Sequence, residues 1–216
     1  MKSVRVWDNF TRLYHFSQLI LLATLWYSAE QADFETHFTC GFIMIALWLT
    51  RLFWGVIGST TSKFKHFIKS PVQVINAWRN NSIGKPHIGH NPVGGYMVIF
   101  LLFCLGLQLF SGLFASDDVL AEGPFYYAFS DNVVEYMDSI HSSNFDILLI
   151  LVAIHALAGI LHVLRGDNVI KTIFTGKKDN IEPNSPVNLK SAVLPIVIWA
   201  ILAIGIYQWG MSQASF

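Results

Sequence analysis

Apolar residues fall into five long runs separated by polar connections: Leu13–Ala29, Phe38–Ile57, Pro92–Ala115, His141–Leu164 and Ala192–Tyr207. A helix crossing a bilayer needs about 20 mostly apolar residues, so each run predicts a transmembrane helix. The first run has a basic start and small residues at Ser28–Ala29, as a signal peptide does. His15 and Gln18 interrupt the apolar stretch a signal peptide requires, which favours a span. Between the second and third runs, Phe64, Phe67, Ile68, Val72, Ile75 and Trp78 recur at helical spacing among lysines. Ser70–Pro71 has the form of an N-cap followed by proline at the first helical position. The segment Phe64–Arg79 is therefore expected to lie as a helix on the membrane surface. Gly89-His90-Asn91-Pro92-Val93-Gly94-Gly95 is a turn opening the third span, with Asn91 as its cap. Its glycines allow close approach of a neighbouring helix or cofactor.

Composition agrees with this reading. Of the 216 residues, 53% are hydrophobic and 13% charged, against about 25% charged in an average soluble domain. The formal net charge is zero, but the charges are sorted. All 14 Lys and Arg lie at Lys2, Arg5 and Arg12, in the stretch from Arg51 to Lys85, or between Arg165 and Lys190. The connections Glu30–Glu35 and Asp117–Asp138 contain nine acids and no base: Glu30, Asp33, Glu35, Asp117, Asp118, Glu122, Asp131, Glu135 and Asp138. The positive-inside rule then predicts a multi-pass membrane protein with its N-terminus cytoplasmic and, with an odd number of spans, its C-terminus outside. Lipid is an expected partner and nucleic acid is not. Cys40 and Cys104 both sit in apolar runs, which excludes a disulfide framework and a cysteine-rich metal or iron–sulfur site. The chain has no C-x-x-C-H motif, so any haem would be held without covalent attachment.

Ionisable residues inside spans are costly and call for partners. His15, His37, His141 and His155 lie in or at the ends of the first, second and fourth spans, with His162 further along the fourth. A separation of 14 residues returns His155 almost to the helix face of His141, with a rise of about 21 Å. One helix thus presents an imidazole near each membrane surface. The direction of the spans puts His15 near the inner surface and His37 near the outer. Two pairs follow, His15 with His155 and His37 with His141, and two haems with two histidine ligands each would use them fully. By depth alone His162 suits His15 as well as His155 does, and helix geometry leaves that choice open.

Several segments resemble a known family. Val6-Trp7-Asp8 with Thr11-Arg12 and His15 is similar to the opening of bacterial di-haem cytochromes b of the cytochrome b561 group, which includes the cytochrome b subunits of nickel-dependent hydrogenases. The run from His37 through Gly41 to Arg51, Trp54-Gly55 and Gly58 resembles the family's second span. Gly89-His90-Asn91-Pro92, Gly94-Gly95 and Ser111-Gly112-Leu113-Phe114 resemble its third. His141, His155-Ala156-Leu157-Ala158 and His162 resemble its fourth, and Thr175-Gly176-Lys177-Lys178 the segment that follows. The resemblance implies an all-α integral membrane protein: a four-helix bundle over residues 1–180 holding two b haems. Residues 181–216 would form a linker and a fifth transmembrane helix, present in some members and not others. It implies His15, His37, His141 and His155 as axial ligands, which favours His155 over His162 and leaves His162 for propionate or quinone contact. Phe16 stands where the family's first-span pattern usually has Trp, a packing difference.

Other residues have supporting roles to test. Arg12 and Arg51 lie where inner-haem propionates would sit, and a guanidinium fork suits a carboxylate; the rival role is snorkelling to headgroups. Asp146 is a candidate orienting group or proton carrier, though an interfacial position is favoured. Ser17, Gln18 and Gln108 are candidates for hydrogen bonds between helices. The acidic connections would steer a basic periplasmic cytochrome c or another redox subunit, if more than the residue of excluding Lys and Arg. The expected function is an electron-transfer subunit linking a periplasmic redox partner, either a hydrogenase-like enzyme or a c-type cytochrome, to the quinone pool. Quinone is expected near His90, Arg79 or His162. Whether the chain itself acts as a quinone or quinol oxidoreductase, and whether it pairs as a homodimer, stays open. The rival classes are a histidine-lined metal-ion or proton transporter and a non-catalytic membrane anchor.

Overall fold

A computed structural model describes residues 3–79, 87–117, 119, 121–179 and 186–215. Lys2, Lys85, Asp118, the side chain of Trp78 and the expected boundary at 180/181 lie outside the described residues. The long helices are α1 (Asn9–Glu30), α2 (Phe34–Ile57), α5 (Pro92–Ser111), α6 (Asp131–Leu164) and α8 (Val193–Gln213). Among the described residues α2, α5, α6 and α8 have the length and apolarity to cross a membrane. With 22 residues α1 is as long as α8 or longer, but His15, Ser17 and Gln18 dilute its apolar character. The outward residues of these helices, among them Ile20, Phe103, Ile150 and Ile201, are exposed and apolar, as lipid contact requires.

The described fold differs from the sequence reading at two places. The fourth span was expected to start at His141, whereas α6 begins ten residues earlier at Asp131. The backbone carbonyl of Ser130 accepts from Val133 and Val134 there, and the first-turn Asp131 suits the helix dipole. The surface helix Phe64–Arg79 is broken into a single turn, α3 (Phe64–Phe67), and α4 (Pro71–Arg79). The break has a local cause: Ser70 Oγ accepts from Gln73 N (3.4 Å) while Gln73 Oε1 accepts from Ser70 N (3.2 Å). This reciprocal cap starts a new helix at Pro71. Val72 and Ile75 on α4 are exposed, as the membrane-surface reading expects.

The residues group into two compact units. The first comprises Met1–Tyr14, Arg51–Leu101 and Leu151–Pro195; the second comprises His15–Thr50, Leu102–Ile150 and Ile196–Phe216. Every Lys and Arg among the described residues belongs to the first unit, and none to the second.

The first unit is tied together by polar groups. Strand β1 (Ser3–Arg5) pairs antiparallel with β2 (Lys177–Asp179), Val4 opposite Lys178. The ribbon continues as Val6 N and Trp7 N donate to Gly176 O (2.8 and 3.2 Å). Gly176 is left-handed (φ 75°) and ends the short helix α7 (Val169–Thr175), a backbone conformation that glycine adopts without steric cost. Asp8 caps α1 by accepting from Thr11 N (2.7 Å), and its other oxygen accepts from Ser62 Oγ (2.7 Å) and Trp54 Nε1 (3.2 Å). One buried carboxylate thus fixes the start of α1 to the end of α2.

In the second unit, α2 packs on α8 and α5 through close helix contacts. A Cβ at Gly210 would lie 2.3 Å from the Phe42 ring, and one at Gly106 would lie 2.5 Å from the Trp48 ring. Trp48 Nε1 donates to Leu102 O (2.9 Å), so the ring is held as well as packed. Phe38, Phe42 and Ala121 form an apolar core that Ile206, Met211 and Ala214 of the C-terminal segment cover. The end of that segment is pinned: Glu122 and Ser215 exchange backbone hydrogen bonds (2.9 and 3.1 Å).

Candidate functional site

The second unit holds a cavity of about 250 Å³, walled by Leu25, Trp26, Phe42, Leu109 and Phe145 among others, with His37 and His141 in its lining. The two imidazole centres are 6.5 Å apart with planes at 78°. Each ring is anchored through Nδ1. His37 Nδ1 is 3.0 Å from Leu25 O and 3.3 Å from Ser28 Oγ; His141 Nδ1 is 3.0 Å from Gln108 O and 3.3 Å from Ser111 Oγ. A carbonyl oxygen only accepts, so Nδ1 carries the hydrogen in both rings and the Nε2 lone pairs are left as ligands. Two metal–nitrogen bonds of about 2 Å each on opposite sides of one ion, with the ring radii added, put imidazole centres roughly 6 Å apart. The observed pair fits that span. The tautomer, spacing and apolar wall are those of a bis-imidazole metal site.

The local sequence makes room for this geometry. A Cβ on Gly112 would lie 2.7 Å from His141 Cε1, so only glycine lets α5 approach the ring so closely. Gly112→Ala is expected to displace His141 and to lower bound haem, read as haem per protein after purification. Gln108, proposed as an interhelical hydrogen-bonding residue, does bridge α5 to α6: its Nε2 donates to His141 O (2.9 Å). Asn144, which sequence reasoning did not single out, is buried and donates to Gln108 Oε1 (2.7 Å) and Cys104 O (2.9 Å). A polar residue three positions after a candidate ligand on an otherwise apolar face was the available signal. Asp146 is exposed and makes no hydrogen bond or ion pair among the described residues, in line with an interfacial position. Gln18 has a buried side-chain oxygen without a hydrogen-bond partner among the described residues. His15 is half-buried on α1 in this same unit, with its ring against Phe16 (5.6 Å).

The remaining candidates belong to the first unit. His155 is an exposed residue of α6. His162 Nε2 is 3.1 Å from Asn91 Nδ2, while its Nδ1 lies 3.6 Å from Asp167 Oδ2, beyond hydrogen-bond length. The orientation of Asn91 follows from its cap, since its Oδ1 accepts from Gly94 N (2.7 Å) and its Nδ2 therefore points to His162. Asp167 is reached through the left-handed Gly166 (φ 89°), which ends α6, and it pairs with the buried Lys178 (2.7 Å). Lys178 also donates to His87 O (3.0 Å). His90 lies between Trp7 (5.0 Å) and Phe67 (4.9 Å). Arg79 is exposed at the end of α4.

The two arginines differ. Arg12 Nε donates to Ile173 O (3.1 Å) and its Nη2 to Phe174 O, so the side chain caps the last carbonyls of α7. Arg51 is 3% exposed, which rules out snorkelling to headgroups. Its guanidinium faces the rings of Tyr14 (5.8 Å) and Phe64 (5.3 Å) and donates to Ser62 O (3.3 Å). No carboxylate pairs with it among the described residues. A buried cation without an ion pair is costly and calls for an anion.

No curated protein matches the chain. Residues 6–176 match the family of prokaryotic cytochrome b561. Anchored histidines in an apolar cavity, apolar spanning helices and that match agree, and the chain belongs to the prokaryotic cytochrome b561 family, membrane proteins that bind b-type haem and transfer electrons across the bilayer.

Proposed function

We propose that this chain binds two b haems through His37 with His141 and through His15 with His155, and that it carries electrons between a periplasmic redox partner and the quinone pool. The observation that carries this reading is the pair of Nδ1–carbonyl anchors, which leave His37 and His141 facing one cavity with free Nε2 lone pairs. When bound, the haem supplies a one-electron iron couple; the protein supplies ligands, orientation and a low dielectric. The second pair rests on depth along the helices. It is supported by His162, whose Nε2 accepts from Asn91, a contact that favours His155 as the ligand on that part of α6. Arg51 would suit a propionate as a further anion beside Asp8, whose charge already acts on it. Arg12, already bonded to α7, holds the first unit instead.

The segregation of every described Lys and Arg into one unit supports a cytoplasmic N-terminus and an inner-membrane location, with α1 as the first of five spans. The acidic connections of the other unit would then meet the periplasmic partner, a hydrogenase-like subunit or a c-type cytochrome. Quinone is proposed to bind on the basic side near His90, Arg79 and His162. Replacing each of these three by alanine is expected to slow quinol-linked haem reduction in membrane vesicles and to leave both haems and their visible spectrum in place. Unchanged reduction rates in all three variants would remove the quinone assignment, and loss of a haem in His162→Ala would reverse the choice of His155.

A further inference from the structure

We infer that Asn144 and Gln108 form a positioning device that sets the hydrogen bond of His141 and, through it, the properties of one haem. This rests on the reading of His141 as a ligand. The residues concerned all belong to one compact unit. Gln108 meets His141 twice: its backbone carbonyl accepts from the ring at Nδ1 (3.0 Å), and its side chain donates to the backbone carbonyl of His141 (2.9 Å). That carbonyl also accepts from Gly112 N (3.0 Å) and Ser111 Oγ (3.2 Å), both on its own segment, so its placement against the ring depends on what holds α5 against α6. Asn144 does so. Its amide nitrogen donates to Gln108 Oε1 (2.7 Å) and to Cys104 O one turn earlier (2.9 Å), which holds α5 both at the turn before the ring's acceptor and at the side chain of the acceptor residue.

The amide orientations are determined. Gln108 Nε2 faces a carbonyl and must donate, so Oε1 faces Asn144 and must accept, and Asn144 Nδ2 is the donor to both oxygens. Asn144 is 4% exposed and Gln108 9%, so water does not replace either bond cheaply. A ring whose Nδ1–H is held by a carbonyl donates more electron density at Nε2, which favours the oxidised metal. The same clamp fixes the ring plane, here at 78° to that of His37. Nearly perpendicular imidazole planes bring the iron's two π-type d orbitals close in energy and give a low-spin resonance at high g.

The test compares Asn144→Leu, which keeps the branched shape and removes the donor, with Gln108→Met, which keeps the backbone acceptor and removes the side-chain bridge. The haem to follow is the one missing from His141→Ala. In both variants that haem is expected to bind about 10- to 100-fold more weakly, to titrate at a higher midpoint potential and to show its high-g resonance moved to lower g, while the other haem stays unchanged. An unmoved potential, resonance and affinity in both variants would overturn the inference, as would equal loss of both haems. If His141→Ala itself keeps both haems, the ligand reading fails and not the clamp alone.

Discussion

Purified His141→Ala is expected to carry one haem against an expected two in the parent, and His37→Ala to lose the same one. The expectation follows from the shared cavity: both rings line it, and each is held there through Nδ1 by a carbonyl on a neighbouring helix. Removing either ring takes one of two axial bonds and leaves its anchoring carbonyl exposed to the cavity, so the remaining ligand does not retain the group through purification. His15→Ala and His155→Ala are expected to remove the other haem. Haem content by pyridine haemochrome, normalised to protein, reads the effect as a halving in each single variant and a complete loss when His141→Ala is combined with His155→Ala. Full retention in His141→Ala would contradict the pairing.

The second large effect lies away from the cavity. Lys178→Met is expected to destabilise the protein by about 3–5 kcal/mol, because it leaves the Asp167 carboxylate buried with no cation. Both partners are nearly inaccessible, at 7% and 4% side-chain exposure, and Lys178 Nζ reaches both carboxylate oxygens (2.7 and 3.0 Å). The pair joins β2 to the turn that ends α6, where Asp167 N donates to His162 O (2.9 Å). A buried ion pair is worth little against a well-packed apolar pair, so Lys178→Met with Asp167→Leu is expected to recover most of the loss. Thermal unfolding in detergent, followed by tryptophan fluorescence, distinguishes these outcomes; a single variant as stable as the parent would show the pair to be dispensable.

How far the chain could be read from its residues depended on how local the determining physics is. Helix-length apolar runs are a local signal, so α2, α5 and α8 were found within a few residues of their bounds. The start of α6 was not, because Asp131–Ile140 mixes acids with Val133, Val134 and Met137 and resembles a loop when only apolarity is counted. Asn91 and Ser70 were legible as caps because a cap acts on residues three positions away. The ribbon of β1 and β2 was not: strands of three residues carry too little alternation to register, and the partners lie at opposite ends of the chain.

The site divides in the same way. His37 and His141 were legible because charge sorting fixes span direction and helix pitch fixes depth. Their carbonyl anchors, the Asn144–Gln108 bond, the Asp8 lock on Trp54 and Ser62, and the Asp167–Lys178 pair all depend on which residues meet across helices or turns. The role of His162 was open from depth alone. The resemblance favoured His155, and the contact of His162 with Asn91, oriented by its cap on Gly94, could not be read from the sequence.

The central claim is that this chain of the cytochrome b561 family holds two b haems between histidine pairs. The most direct measurement is the haem stoichiometry of the purified parent protein, by pyridine haemochrome together with a reduced-minus-oxidised spectrum. The account predicts two b haems per chain, released by acid-acetone because no haem is covalently attached, and a redox titration with two one-electron steps. A single haem per chain, or none, would contradict it.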